Sequence, residues 1–373
     1  MTENEGFGGT APVLVVGAGP VGLTTAILLA VRGVRPLVVE RHPGTSIHPR
    51  ARGISGAAMR VFGEAGVAGQ VREAGRVLAR NTLLLTVDTL AGAELDRQTM
   101  GSVLTEDEHA AFAGGGFTLC PQDLLEPVLL ARARALGVEV RFGTDLAGLT
   151  MDATGVSATL VRRAAGERYG VRAGFVVGAD GTHGPVRRLA GIGAYGPGRL
   201  GRHVSILFRA DLADLVRGRE FLFCFAKTAV SPGFFAAIDN VSRWQFTVTL
   251  ADGDAEADFT ADRCRDLVRA AVGRADLDVE IEHVLRWYPA LRVAESLHRG
   301  RVALAGDAAH ELPAGGLGTG VQDAAVLAPY LIEALAAGDA ADPLAPYTQA
   351  RLPVVEEIAE RIHANAGPSG LPK

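Results

Sequence analysis

The chain has 373 residues, 48% apolar and 21% charged, and its 37 basic against 42 acidic residues leave a net charge of −5. That composition belongs to a globular protein with a substantial core and excludes collagen, coiled coil and global disorder. The mildly acidic balance speaks against a nucleic-acid binder, which needs a basic face.

In chain order, the polar leader 1–10 is expected to be disordered; it has no signal-peptide pattern, which points to the cytoplasm. Residues 11–31 carry no charge, but Pro12, Gly17, Gly19, Pro20 and Gly22 break them, so they read as strand, turn and helix rather than a membrane span. Val13–Val16 is a buried-type strand, Pro20–Arg32 a helix and Pro36–Glu40 a second strand, which together make a βαβ unit. Periodicity predicts helices over Ser55–Ala74 and Asp123–Ala135. Strands are expected at Val138–Phe142, Gly155–Val161 and Glu167–Val177.

Between about 200 and 290 the pattern changes to alternating strands. Glu220–Phe225 sets Phe221, Phe223 and Phe225 on one face, and Arg243–Leu250 repeats this with Trp244, Phe246 and Val248. An antiparallel sheet with one aromatic face is expected. Strand Arg301–Ala305 and helix Thr319–Ala337 then return to nucleotide-type patterning. Cys120, Cys224 and Cys264 are odd in number and match no ligand spacing, so they read as reduced thiols, with no metal site.

Gly17-Ala18-Gly19-Pro20-Val21-Gly22 lies between strand and helix, and Glu40 ends the next strand. The first glycine allows the tight turn, the second admits a pyrophosphate and the third lets helix and strand approach; the acid would accept hydrogen bonds from a ribose diol. Two further strand ends carry acids: Val177-Gly178-Ala179-Asp180-Gly181, and Gly306-Asp307 followed by His310, Pro313, Gly315, Gly316 and Gly318. An Asp at such an end can hold a polyol chain.

These three motifs, in this order, resemble the flavoprotein aromatic hydroxylases whose prototype is para-hydroxybenzoate hydroxylase, nearest the branch acting on aromatic polyketides and tetracyclines. The resemblance covers about residues 11–360 and implies an α/β fold: a Rossmann-like FAD-binding domain (1–77, 115–190 and 290–373) with an inserted antiparallel-sheet substrate domain (78–114 and 191–289). It implies non-covalent FAD, with NADPH or NADH as transient reductant and O2 as co-substrate. Gly17, Gly19, Pro20, Gly22, Glu40 and Arg41 would hold the ADP half, Arg50 and Gln122 would lie near the flavin, Asp180 would serve both nucleotides, and Gly306 with Asp307 would bind the ribitol. Pro313, Gly315, Gly316, Leu317 and Gly318 would line the flavin ring. A flavin C4a-hydroperoxide would then deliver oxygen to an electron-rich ring. Phe221, Phe223, Phe225, Phe234, Phe235, Trp244 and Phe246 are the candidate walls for a flat substrate. His183 and His310 receive no role.

The chain departs from the resemblance at three places. Gly315–Gly320 is two residues short and lacks an Asn, Gly184 stands where Ser is common, and the next helix lacks a His-Asn pair. The alternative reading is therefore a flavoprotein that binds a polyketide without oxygenating it, as a redox-neutral isomerase, cyclase or non-catalytic partner.

Overall fold

The computed structural model describes residues 7–78, 81, 83–99, 117–228, 232–250, 258–337 and 342–365. Its first sheet has parallel strands at the centre. Phe7–Val16 pairs in parallel with Leu37–Val39 on one side and Glu167–Gly178 on the other, and Val302–Leu304 follows beyond. Val13, Leu14 and Val15 are fully buried, as expected for a strand covered on both faces. The register pairs Val16 with both Val39 and Gly178, and Gly178 with Leu304. All four strands therefore end at one edge, which places Gly17, Glu40, Asp180 and Gly306 together. Ligands of open parallel sheets bind at such carboxyl edges.

The expected disorder of 1–10 is corrected from Phe7 onward. The long strand Glu167–Gly178 offers backbone partners to Phe7 and Thr10, opposite Gly170 and Arg172. The helix expected over Ser55–Ala74 is two helices, Gly56–Glu64 and Ala68–Ala74, parted at Gly66, whose φ of 74° an α-helix does not tolerate.

A second, seven-stranded sheet runs in spatial order Glu280–Trp287, His203–Arg209, Arg243–Thr249, Gly233–Ala237, Phe221–Ala226, Leu83–Val87 and Glu94–Thr99. It is antiparallel except where Phe221–Ala226 runs parallel to Leu83–Val87. One face packs on helix Ala261–Val272, and Val204, Ile206, Phe208, Phe235 and Val268 close a core separate from that of the parallel sheet. Of the expected substrate-domain segment 78–114, residues 100–114 lie outside the described residues. Among the described residues no helix is long and apolar enough to cross a membrane.

Candidate active site

The turn after the first strand is shaped by contact with the strand beside it. Gly17 has φ 108°, its N–H donates to Val39 O at 2.8 Å, and a Cβ there would stand 2.1 Å from Ala179 O. Only glycine fits. Helix Pro20–Val31 starts at Gly19 without a side-chain cap and without an acid in its first turn, so its partial positive charge is left for a ligand. A Cβ on Gly19 would meet nothing within 4 Å, which marks open space at the helix start. Glu40 knits the edge together: Oε2 accepts Ala18 N–H at 2.9 Å, and Oε1 accepts His42 N–H at 2.9 Å.

Asp180 closes the second strand end. Its Oδ2 accepts Val186 N–H at 2.9 Å, while Oδ1 is buried with no partner. Burial pushes its carboxyl up to about 6, against the nearby charge of Arg41. The glycine at 184 has a local reason, because a Cβ there would lie 1.9 Å from Asp180 Cγ and displace the carboxylate.

The third motif closes on the first two. A Cβ on Gly320 would stand 2.6 Å from Val21 Cγ2 and 2.9 Å from Gly306 Cα; one on Gly316 would stand 3.3 Å from Asp307 Oδ1. Asp307 is open to solvent yet enclosed by protein on most sides, so it lies in a recess. That enclosure raises its pKa, opposed by the charges of His310 and Arg50. The long helix begins at Gly316, three residues before the expected Thr319. The shortened loop has been drawn into the first turn, where the Thr319 N–H and hydroxyl both donate to Gly315 O, at 3.1 and 3.2 Å. Pro313, Leu317 and Gly318 are half-buried beside it, and Gly318 approaches Ser55.

Arg50 is exposed, and Gln122 faces its own helix, donating Nε2–H to Glu126 Oε1 at 2.7 Å. The backbone N–H of Gln122 donates to Ala51 O at 2.9 Å, which fixes the 50–52 segment.

Sequence reasoning missed a buried cluster behind the Gly306 turn. Asp323 Oδ2 accepts Gly306 N–H at 2.9 Å and lies 2.6 Å from His310 Nε2; its Oδ1 accepts Arg351 Nε–H at 2.9 Å. These partners hold the Asp323 pKa down despite complete burial. The available signal was a lone acid in an otherwise apolar stretch of the helix.

The aromatic wall is corrected into two faces. Phe221, Trp244 and Phe246 are fully buried in the core under helix Ala261–Val272, and so is Phe235, whose ring lies 4.6 Å from that of Phe246. Trp244 Nε1–H donates to Ala210 O at 3.1 Å. Phe223, Phe225 and Phe234 lie on the opposite face, with ring separations of 5.9 Å. A register shift against Leu83 and Leu84 falls between Phe221 and Phe223, so strict alternation assigned Phe221 to the wrong side.

Beside those rings, on the same face, Arg52 reaches across from the parallel-sheet side. Its Nη2–H donates to Gln245 Oε1 at 3.1 Å, and its Nη1–H also donates to Ala237 O. Burial pushes its pKa down to about 10, opposed by Asp123. His48 meets His283 edge-on at 5.2 Å; burial, then Arg50, His283 and Arg243, lower its pKa.

These features fit an extended dinucleotide. An uncapped helix start and open space at Gly19 suit a pyrophosphate, and an orphaned buried oxygen on Asp180 and a recessed Asp307 suit hydroxyl donors. Among known families, a model of the FAD binding domain matches residues 10–362. A Streptomyces halstedii protein that bears a polyketide-hydroxylase name is 42% identical over 97% of this chain and 66% of its own. The tetracenomycin B2 monooxygenase-dioxygenase of Streptomyces olivaceus is 37% identical over 94% and 68%. The flavin-dependent monooxygenase PieE, solved with FAD and substrate, superposes with a TM-score of 0.85 at 29% identity, over 95% of this chain and 64% of that one. The chain thus spans about two thirds of the length of these relatives. With its three motifs gathered at one sheet edge, the chain belongs to the family of FAD-binding domains found in these monooxygenases.

Proposed function

We propose that the protein is an FAD-dependent, NADPH- or NADH-consuming monooxygenase that uses O2 to hydroxylate or oxidatively rearrange an aromatic polyketide-like molecule in the cytoplasm. The observation that carries this reading is the convergence of Gly17, Asp180 and Asp307 at one edge, joined through Arg52 to a sheet face with Phe223 and Phe234. In this reading residues 1–77, 115–190 and 290–373 hold the cofactor, and 78–114 with 191–289 hold the substrate.

FAD, when bound, would supply two-electron chemistry: a reduced nicotinamide would give up a hydride, one atom of O2 would go to the electron-rich ring and the other would leave as water. The residues of the chain do the rest. The Gly17–Gly22 turn and the uncapped helix take the pyrophosphate, Glu40 faces the ribose, and Asp180 and Asp307 accept polyol hydroxyls. Arg52 fixes the substrate sheet to the segment beside the flavin, and the half-buried rings exclude water from the reacting face.

The test is an anaerobic NADPH titration of the FAD-loaded protein with a hydroxylated polycycle present, followed by air. The visible flavin band should bleach and recover, with a product one oxygen heavier when isotopically labelled O2 is supplied. Full NADPH turnover without oxygen in any product overturns the reading. The start of the helix at Gly316 supports a second reading, a flavoprotein that binds the polycycle without oxygenating it. Its signature is tight binding with a flavin band that NADPH leaves unbleached.

A further inference from the structure

Helix Gln122–Ala135 begins at the edge where the three motifs meet, and the sheet topology shows why. The strand that follows it, Glu139–Arg141, runs parallel to Leu37–Val39 with Arg141 opposite Val39, and Arg141 O accepts the Glu40 N–H at 2.9 Å. That strand therefore ends at the same carboxyl edge as the others. The helix leads into it through a short turn, runs the opposite way, and so starts beside Glu40 and the 50–52 segment.

Glu126 stands one turn into this helix and is only 3% exposed. Its Oε2 accepts the Ser46 N–H, and its Oε1 accepts from Gln122 Nε2 at 2.7 Å. The loop from Glu40 to Arg52 is thereby tied at its middle. Its far end is tied by the Cys120 N–H to Arg52 O at 2.8 Å and the Gln122 N–H to Ala51 O at 2.9 Å. Burial raises the Glu126 pKa; the Ser46 and Gln122 N–H groups oppose the rise, Glu40 adds to it and Arg50 opposes it. With Glu40 and Arg50 as its charged neighbours, Glu126 lies directly behind the sheet edge.

This pairing decides which way the Gln122 amide faces. An ionised Glu126 only accepts, so the Gln122 group it meets is the NH2, and the carbonyl Oε1 is turned away from it. Among the described residues that carbonyl has no partner, and Gln122 is half-buried, with part of its surface open. Arg50 lies in the field of both Glu126 and Asp307, the acid that accepts polyol hydroxyls in the reading above. We propose that Glu126 is a positioning residue for the cofactor. It touches no ligand itself; it holds the Gln122 amide so that Oε1 accepts from a ribitol hydroxyl on the flavin half of FAD. This inference rests on the reading of the edge as an FAD site and adds to it a residue that none of the three motifs contains.

The experiment measures dissociation constants of two probes on the full chain stripped of flavin: FAD, by quenching of its fluorescence, and ADP, by calorimetry. ADP fills only the half held by the Gly17–Gly22 turn and Glu40. Glu126→Gln keeps the size and leaves one oxygen for the Ser46 N–H, but its NH2 then faces Gln122 and turns that amide round. It should weaken FAD about 5-fold and leave ADP unchanged. Gln122→Ala should weaken FAD about 10-fold, the worth of one hydrogen bond, and adding Glu126→Gln to it should weaken FAD no further. A double variant in which the two losses multiply, to about 50-fold, overturns the inference, because Glu126 would then act on the fold and not through Gln122. So does equal weakening of FAD and ADP by Glu126→Gln. Full FAD affinity in Gln122→Ala overturns it even if the Glu126 variant fails to fold. If the unaltered protein does not bind FAD, the FAD-site reading falls and this inference with it; if it binds FAD while both single variants are indifferent, only the inference falls.

Discussion

At the carboxyl edge of the parallel sheet, Gly17, Asp180 and Gly306 meet because parallel strands end in register. On the seven-stranded sheet, Ser205, Thr247 and Gln245 meet because two antiparallel strands pair in register. The materials differ. The edge is built of backbone: a turn that only glycine can make, an uncapped helix start, and acids one to three residues beyond a strand. The open face is built of single side chains, one or two from each of several strands and one, Arg52, from the other core. Backbone sites need a fixed local spacing. Side-chain sites need only the correct register between distant strands.

The largest test of that contrast lies behind the edge. Asp323→Ala should destabilise the fold by about 5 kcal/mol, because it leaves the Arg351 guanidinium and His310 buried without their shared partner. It should also loosen FAD, since the Gly306 N–H loses its acceptor. Thermal unfolding and flavin content of the purified variant measure both. A variant as stable as the parent would mean that the edge does not depend on this cluster.

The two faces of the seven-stranded sheet come next. Phe246→Ala should cost about 3–4 kcal/mol by opening a cavity in a fully packed core, whereas Phe225→Ala, on the opposite face at 42% exposure, should cost under about 1 kcal/mol. Chemical denaturation of the two variants checks this. Comparable losses would return both rings to one core and undo the separation of faces described above.

What was legible in the sequence follows the same line. The βαβ unit and the three acidic strand ends were visible because each is a run of neighbouring residues with one backbone geometry. The antiparallel sheet was visible from the alternation of Trp244, Phe246 and Val248, but not which rings of Phe221–Phe225 enter its core. A register shift beside Phe221 reverses the parity, and no local pattern announces it. The pairing of Arg52 with Gln245 spans 193 residues, and that of Arg351 with Asp323 joins two helices; such contacts exist only once the chain has folded. The helix start at Gly316 was misread because glycines are poor helix formers, yet here packing against Val21, Asp307 and Ser55 leaves no room for larger side chains and overrides propensity.

Gly17→Ala sharpens the backbone side of the comparison. Its Cβ would meet Ala179 O at 2.1 Å in a conformation that L side chains rarely adopt. FAD affinity should fall by roughly 100-fold, about 3 kcal/mol, as the turn shifts away from the pyrophosphate. Equilibrium dialysis of FAD measures it, and unchanged affinity would remove the turn from the cofactor site.

The smallest effect concerns Asp180, where backbone and side chain share one site. Its carboxyl titrates near 6 in the folded chain because burial disfavours the anion, whereas in the unfolded chain it has the ordinary value of 3.8. The folded state therefore holds its proton more tightly, so the stabilisation from protonated Asp180 is complete below about pH 4 and is lost as pH rises through about 6. Asp180→Asn keeps an oxygen for the Val186 N–H and cannot ionise. Without added FAD, the variant should be more stable than the parent by about 1–2 kcal/mol at pH 7, with the gap closing toward pH 4. Melting temperatures of the two proteins across that range test the sign as well as the size. A gap that stays constant with pH would mean that Asp180 keeps its charge at the sheet edge, and that its buried oxygen is solvated in the absence of a ligand.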